Sequence, residues 1–189
     1  MKVLVVIGHQ RLDSFCHMIA EAAIAEFCDA GHEVVFHDLY AENFDAILPH
    51  SEVRKGSEPD AVIEQHCQEL VDSDLYFIVH PIWWAMPPAM LKGWVDRVFR
   101  PGVAFEFGPQ GAMGKLNGKR AIVLTTSNSP SEDQLQVTGN PLEEIWKRFI
   151  FGFCGVDDFY FRNFASIILS TQEQRDAWVQ DVRKIVRNL

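Results

Sequence analysis

Five short apolar runs, separated by stretches of helical spacing, set the rhythm of this chain. Val3-Leu4-Val5-Val6-Ile7 is continuous and largely β-branched, the pattern of a strand buried on both faces of a parallel sheet. Similar runs at Glu33–His37, Leu75–His80, Ala121–Thr125 and Phe159–Phe164 predict four more strands. Behind Ser14, a good N-cap, Phe15, Ile19, Ala23 and Phe27 recur at every fourth position until Gly31 stops the helix. Pro59 is expected to open a second helix through Val71, and Pro87 or Pro88 a third through Phe99. Pro141 opens a fourth, and Thr171 with Gln174 forms a capping box for the last. On that last helix Trp178, Val182, Ile185 and Leu189 are expected to share a face.

Strand and helix thus alternate five times. Parallel strands need crossovers, and right-handed helical crossovers pack back onto the sheet. The predicted fold is α/β, an open doubly wound sheet of five parallel strands flanked by helices, in a single domain over residues 1–189. In such sheets ligands bind beyond the carboxyl ends of the strands, at the switch in strand order. That rule singles out Gly8–Ser14, Pro81–Pro87 and Thr125–Asn128. The connections Leu39–Glu58 and Thr126–Asn140 are long for this fold, and long connections are often functional.

Composition narrows the ligand. The chain has 189 residues, 48% hydrophobic, and a formal net charge of -9, which disfavours nucleic acid or an anionic membrane as a partner. An anionic ligand must therefore be held by a local motif. The cysteines at 16, 28, 67 and 154 form no C-x-x-C pair, so they read as reduced thiols rather than a zinc site or disulfide framework. The first apolar run is too short for a signal peptide, and none approaches a membrane span. A cytoplasmic location is the expectation.

The first loop, Gly8-His9-Gln10-Arg11-Leu12-Asp13-Ser14, leads into a helix N-terminus, whose unpaired N–H groups and partial positive charge favour a phosphate. Arg11 adds a permanent charge, and His9 and Ser14 add hydrogen-bonding groups. The alternative is that Ser14 is only a cap and Arg11 a solvated loop residue. The glycines of a dinucleotide fingerprint are missing. The second loop, His80-Pro81-Ile82-Trp83-Trp84-Ala85-Met86-Pro87-Pro88, carries two adjacent tryptophans. One ring is expected to pack inward and the other to line a flat pocket suited to a planar ring system; otherwise both are core or interface residues.

Gly8-His9-x-Arg11-x-x-Ser14-Phe15, with Pro81-Ile82-Trp83-Trp84-x-Met86-Pro87 and Leu91-Lys92-Gly93-Trp94-Val95-Asp96-Arg97-Val98-Phe99, resembles the flavodoxin-like NAD(P)H:quinone oxidoreductase family. The family includes mammalian quinone reductases, bacterial modulators of drug activity and ancillary oxidoreductases of potassium-efflux systems. Gly102–Phe105 and Thr125-Thr126 extend the match. The resemblance implies a tightly held flavin, FMN or FAD, in a homodimer. Its phosphate would be held by His9, Arg11, Ser14, Phe15 and Cys16, and its ring framed by Pro81, Ile82, Trp83, Trp84, Thr125, Thr126, Ser127 and Asn128. It further implies ping-pong hydride transfer from NAD(P)H through flavin N5 to a quinone or similar electrophile. No catalytic side chain or metal is required, since the chemistry is centred on the flavin.

Two departures stand out. Mammalian members carry a tyrosine and a histidine after the fourth-strand loop, whereas Thr125–Gln134 here has neither, and Trp83 replaces a polar or different aromatic residue. The length favours FMN over FAD. Of the histidines, only His9 carries a site role; His80 reads as core or interface, His17 as surface, and His32, His37, His50 and His66 show no ligand spacing. Alternative readings are a flavin-carrying regulatory partner of a membrane potassium-efflux transporter and a one-electron carrier of the flavodoxin type. A receiver domain is excluded because Gly8-His9 and His80-Pro81 stand where it needs acidic residues.

Overall fold

The computed structural model describes residues 1–53, 56–129 and 140–189. In chain order the strands are β1 (Lys2–Ile7), β2 (Glu33–Asp38), β3 (Leu75–Pro81), β4 (Phe105–Gly108), β5 (Gly111–Gly114), β6 (Arg120–Thr126) and β7 (Asp158–Phe164). The helices are α1 (Phe15–Asp29), α2 (Ala61–Asp72), α3 (Ala89–Val98), α4 (Pro141–Glu144) and α5 (Gln172–Arg187). Five strands form one parallel sheet in the order β2-β1-β3-β6-β7, so the chain reverses its direction of growth between β1 and β3. The carboxyl ends of those two strands are therefore where a ligand cleft belongs.

All seven residues of β3 and Val3–Ile7 of β1 are buried, as continuous apolar runs covered on both faces should be. Side chains alternate between two cores. Leu4, Val6, Tyr76 and Ile78 face α2 and α3 with Leu70, Leu91 and Trp94; Val3, Val5, Ile7, Phe77 and Val79 face α1 and α5 with Ile19, Phe27 and Val182.

Three features depart from the sequence expectation. The short antiparallel pair β4–β5 lacks an apolar run of its own; its turn closes at Gly111, with φ +115°. The second helix starts two residues later than Pro59 suggests. Asp60 is its cap, because its Oδ1 accepts the N–H groups of Val62 and Ile63, both at 3.0 Å. In α5 the Thr171 cap holds, with Oγ1 accepting Gln174 N–H at 3.2 Å, but the helix ends at Arg187. Val186 takes the buried position expected of Leu189, which lies beyond the helix and is exposed.

α4 continues into a wider π-helical segment, Ile145–Gly152. Residues five apart diverge on an α-helix but come closer on this wider turn. It brings Trp146 and Phe151, both fully buried, into a stacked pair with centroids 5.6 Å apart. The connection 39–58 is fastened rather than free. Arg97, 1% exposed, donates to Asp45 O at 2.7 Å and Asp60 Oδ2 at 2.8 Å and pairs with the buried carboxylate of Glu52. This segment passes so close to α3 that a Cβ on Gly93 would lie 2.1 Å from Ala46 O. The Gly93 and Arg97 positions thus serve to seat α3, whose start forms the far end of the second loop.

Candidate functional site

Three loops converge at the carboxyl edge of β1, β3 and β6, around a cleft of about 490 Å³. Ligand pockets commonly enclose about 300–1,000 Å³. A second cleft, of about 360 Å³, lies at the opposite, amino-terminal edge among Met1, Asp74, Arg120 and Asp158, away from the switch in strand order.

The first loop is built around the start of α1. Ser14 sits in extended backbone, with φ -78° and ψ 157°, and its Oγ accepts the N–H of His17 at 3.3 Å. Phe15 and Cys16, the first helical residues, have N–H groups with no carbonyl four residues behind them in the helix, and no acidic residue occupies the first turn. Such an end suits an anion. Arg11 is less available than its sequence position suggests. Its Nε and Nη2 donate to the two oxygens of Asp13 at 3.0 and 2.8 Å, on an exposed surface. Those bonds hold the Asp13 carboxyl below its usual range and cancel much of the local positive charge.

Two residues that sequence reasoning did not assign complete this loop. His17 is buried rather than on the surface: its Nδ1 lies 2.8 Å from Ser14 Oγ and its Nε2 2.9 Å from Asp38 Oδ2. The parallel register that sets Asp38 opposite Ile7 brings this carboxylate beneath the loop. Arg175, in the first turn of α5, also lines the cleft. Its Nε donates to Ser170 Oγ at 2.7 Å and its Nη2 to Ile167 O at 3.0 Å, with no carboxylate among these partners. The capping box located α5, but nothing local indicated that its start returns to the start of α1.

The second loop extends β3. Ile82 N–H donates to Thr126 O at 2.7 Å, and Trp83 and Met86 exchange backbone bonds of 3.0 and 2.9 Å. Between them Trp84 and Ala85 have φ of +51° and +59°, a tight turn of the type that normally selects Asn and Gly. Left-handed backbone costs about 1–2 kcal/mol per residue with a side chain. The expectation of one inward tryptophan is corrected by this turn: Trp83 is partly exposed and lines the cleft, while Trp84 projects outward and is 99% exposed. Below them His80 is fully buried. Trp146 Nε1–H donates to its Nε2 at 3.1 Å, and its Nδ1 contacts Pro81 O at 2.8 Å. Burial pushes its pKa down to about 4, so the ring is neutral and Nδ1–H is the donor to Pro81.

In the third loop Thr125 Oγ1 donates to Asn163 Oδ1 and Asn163 Nδ2 to Ser127 Oγ, both at 3.0 Å. Asn128 Oδ1 accepts Ile168 N–H at 3.1 Å. Thr126, Ser127 and Asn128 line the cleft, whereas Thr125 is fully buried and acts behind them. Cys16 likewise lies behind the wall, its Sγ 3.3 Å from Thr126 Oγ1, and burial raises its thiol to about 12, which keeps it protonated. Part of the stretch Thr125–Gln134, which has neither tyrosine nor histidine, falls within residues 130–139, outside the described residues.

Of the expected site residues, His9, Arg11, Ser14, Phe15, Pro81, Ile82, Trp83, Thr126, Ser127 and Asn128 line the one cleft; Cys16, Trp84 and Thr125 do not. Burial, then the nearby His17, lowers the pKa of His9. The donor set suits a flavin phosphate. Ser14 and the start of α1 form one end, and Phe15, Ile82 and Trp83 an apolar wall beside the polar side chains of Thr126, Ser127 and Asn128.

A second polar cluster lies away from this cleft. His37, Glu42 and His66 bring ligand-type atoms within 4.8 Å of one another. A metal is nonetheless disfavoured by proton placement. Trp94 Nε1–H donates to His66 Nδ1 at 3.2 Å, so a neutral His66 carries its hydrogen on Nε2, the nitrogen a metal would need. His37 is occupied on both sides, by Glu42 at 3.0 Å and Glu69 at 2.6 Å. Burial works against its charge, but these bonds outweigh it and raise its pKa.

The family model described as "Flavodoxin-like fold" matches residues 1–188. An "Uncharacterized NAD(P)H oxidoreductase" of Haemophilus influenzae is 29% identical, over 95% of this chain and 91% of its own. "NAD(P)H dehydrogenase [quinone] 1" of Rattus norvegicus is 31% identical, over 82% of this chain and 65% of its own. Among solved structures, Smu.1420 from Streptococcus mutans superposes with a TM-score of 0.89 at 29% identity, over the whole of both chains. The chain belongs to the flavodoxin-like fold family, in the group that holds the NAD(P)H oxidoreductases and quinone reductases.

Proposed function

We propose that this chain is a flavin-dependent NAD(P)H oxidoreductase that passes hydride to a quinone or similar electrophile. The observation that carries the reading is the meeting, in one cleft, of an acid-free helix start with Ser14 as its cap and a wall formed by Trp83, Ile82 and Phe15. FMN, with its single phosphate, suits the single helix start, and we favour it over FAD.

Once bound, the flavin supplies hydride acceptance and donation at N5. The chain binds, orients and excludes water. Ser14 and the N–H group of Phe15 would face the phosphate, while Thr126, Ser127 and Asn128 would offer donors to the polar edge of the ring. Such donors matter because the reduced ring carries negative charge, and prepositioned dipoles stabilise it without reorganising. His80 holds Pro81 in place through its Nδ1–H. In this reading the nicotinamide and then the acceptor would enter the same cleft in turn, the ping-pong order. In the same reading the working form is a homodimer, and the fully exposed Trp84, at the lip of the cleft, belongs to the face that a second copy covers.

The test is the absorption spectrum of the purified protein, followed by anaerobic addition of NADH or NADPH and then a quinone. The expected result is a flavin spectrum that bleaches with the nicotinamide and returns with the quinone. A colourless protein that neither FMN nor FAD reconstitutes would overturn the proposal; a flavin that the nicotinamide leaves oxidised would point to a carrier.

A further inference from the structure

His17 and Asp38 play no part in the reading above, yet they form a chain that ends on the phosphate-facing hydroxyl. Both are at least nine-tenths buried. Asp38 Oδ1 accepts the backbone N–H groups of Tyr40 and Ala41, each at 3.1 Å, and Oδ2 faces His17 Nε2 at 2.9 Å. A carboxylate oxygen only accepts, so Nε2 carries a hydrogen. In neutral His17 the other nitrogen, Nδ1, is then a bare lone pair, and among the described residues the group facing it is Ser14 Oγ at 2.8 Å. Ser14 must give its single hydrogen to Nδ1.

That arrangement opposes an anion. Ser14 Oγ already accepts the N–H of His17 at 3.3 Å, so with its hydrogen turned inward it presents only a lone pair to the cleft. If the hydroxyl instead turned to a phosphate, Nδ1 would be left as a buried unpaired acceptor. A second proton on His17 removes the conflict. Nδ1–H then donates to Oγ, and the hydroxyl is released to donate outward. The ligand and the proton thus help one another.

We propose that Asp38 and His17 form a proton-linked positioning pair beneath Ser14: a phosphoryl group seated at the start of α1 draws a proton onto His17. The inference rests on the flavin reading of the cleft and adds to it that cofactor retention depends on pH through one named side chain. Its sign follows directly. Anything that binds one protonation state better shifts with pH, so the phosphorylated ligand is held more weakly as pH rises, by up to about tenfold per unit for one proton. Ionisation of the phosphate itself has a pKa near ~6 and strengthens binding with rising pH, so the two effects differ in direction. Among the described residues, the charged and titratable groups facing His17 are few. Asp38 comes from the end of β2; His9, with its ring centroid 6.2 Å away and edge-on, comes from the first loop; the Arg11–Asp13 pair lies further out on that loop. His9 competes for positive charge, and its own pKa is lowered by burial first and by His17 second.

The experiment is to titrate FMN and, separately, riboflavin into flavin-free full-length protein between pH 7 and 9. Flavin fluorescence gives Kd, and calorimetry in buffers of different ionisation enthalpy gives the protons taken up. The expected result is proton uptake with FMN and none with riboflavin, and an FMN Kd that rises with pH. His17→Phe removes the proton site and leaves the Ser14 hydroxyl free, so its FMN Kd should lose that rise and its proton uptake. Asp38→Asn serves as the second variant. An amide can donate to Nε2 and let neutral His17 carry its hydrogen on Nδ1, so FMN still binds but takes up no proton. Equal uptake with riboflavin, or an unchanged pH dependence in both variants, would overturn the linkage while leaving the flavin site standing. Failure of the wild-type protein to bind either flavin would overturn the reading of the cleft, and the linkage with it.

Discussion

His37 and Asp38 are neighbours on β2, and each anchors a buried histidine cluster, yet the two clusters have opposite characters. Alternation along the strand sends His37 to the face of Val6, under α2 and α3, and Asp38 to the face of Ile7, under α1. The His37 cluster is closed. Both its nitrogens meet carboxylates, and Trp94 fixes the proton of His66. The Asp38 cluster is open at one end, since Ser14, whose Oγ meets His17 Nδ1 at 2.8 Å, lines the cleft. Buried charge and histidine proximity therefore do not mark a binding site by themselves.

The largest effect should come from breaking the closed cluster. His37→Ala takes from Glu69, mostly buried, its 2.6 Å partner and leaves it the Gln65 amide at 2.9 Å alone, and breaking a largely buried ion pair from one side is strongly destabilising. We expect a loss of about 2–4 kcal/mol in urea unfolding, with FMN affinity of the folded fraction unchanged. An equal loss of FMN affinity would mean the two clusters are coupled across the sheet.

Ser14→Ala cuts the open cluster where it meets the cleft. Loss of an N-cap costs about 1 kcal/mol of stability, and FMN Kd should rise about tenfold, the worth of one hydrogen bond to a charged group. Arg11→Ala should raise it only about two- to threefold, because an exposed charge already paired contributes little. If Arg11→Ala costs more than Ser14→Ala, the ion pair with Asp13 opens when ligand binds.

Titration separates the histidines by sign. The folded pKa of His37 lies above its ordinary 6.5, so its ion pairs contribute fully below 6.5 and their contribution disappears as pH rises through the folded value. His66 and His80, each held near 4 chiefly by burial, act the other way: their contribution is present above 6.5 and is lost as pH falls toward 4. Urea unfolding across pH 4 to 9 should therefore show an acid loss in wild type that His80→Gln reduces, and an alkaline loss that His37→Gln removes.

The smallest effect concerns metal. Zinc should leave the melting temperature of the wild-type protein unchanged, whereas Trp94→Phe, which frees His66 Nδ1 to carry the hydrogen, should make it rise by a few degrees. A zinc response already present in wild type would show that Trp94 does not fix the tautomer.

Local pattern was enough for most of the fold. A strand covered on both faces must be apolar throughout, so β1, β3 and β6 are visible as runs, and the caps Ser14 and Thr171 are visible as hydroxyls before helices. Exposed β4 and β5, with no core to fill, carry no such signature. The three loops of the site followed from strand order alone. What they contain was harder to read: Trp84 turns outward because its backbone is left-handed, and Arg11 is occupied by a residue two positions away.

The chain by itself thus determined a parallel α/β sheet, the edge at which the candidate cleft lies and the chemical kinds of group placed there, because burial and capping act over a few residues. Only the tertiary structure decided that Asp38 reaches His17 from another strand, that Arg175 returns to the start of α1, and that His37 is sealed away. Those outcomes depend on strand register and on the direction of a side chain's hydrogen. Neither is a property of any local stretch of sequence.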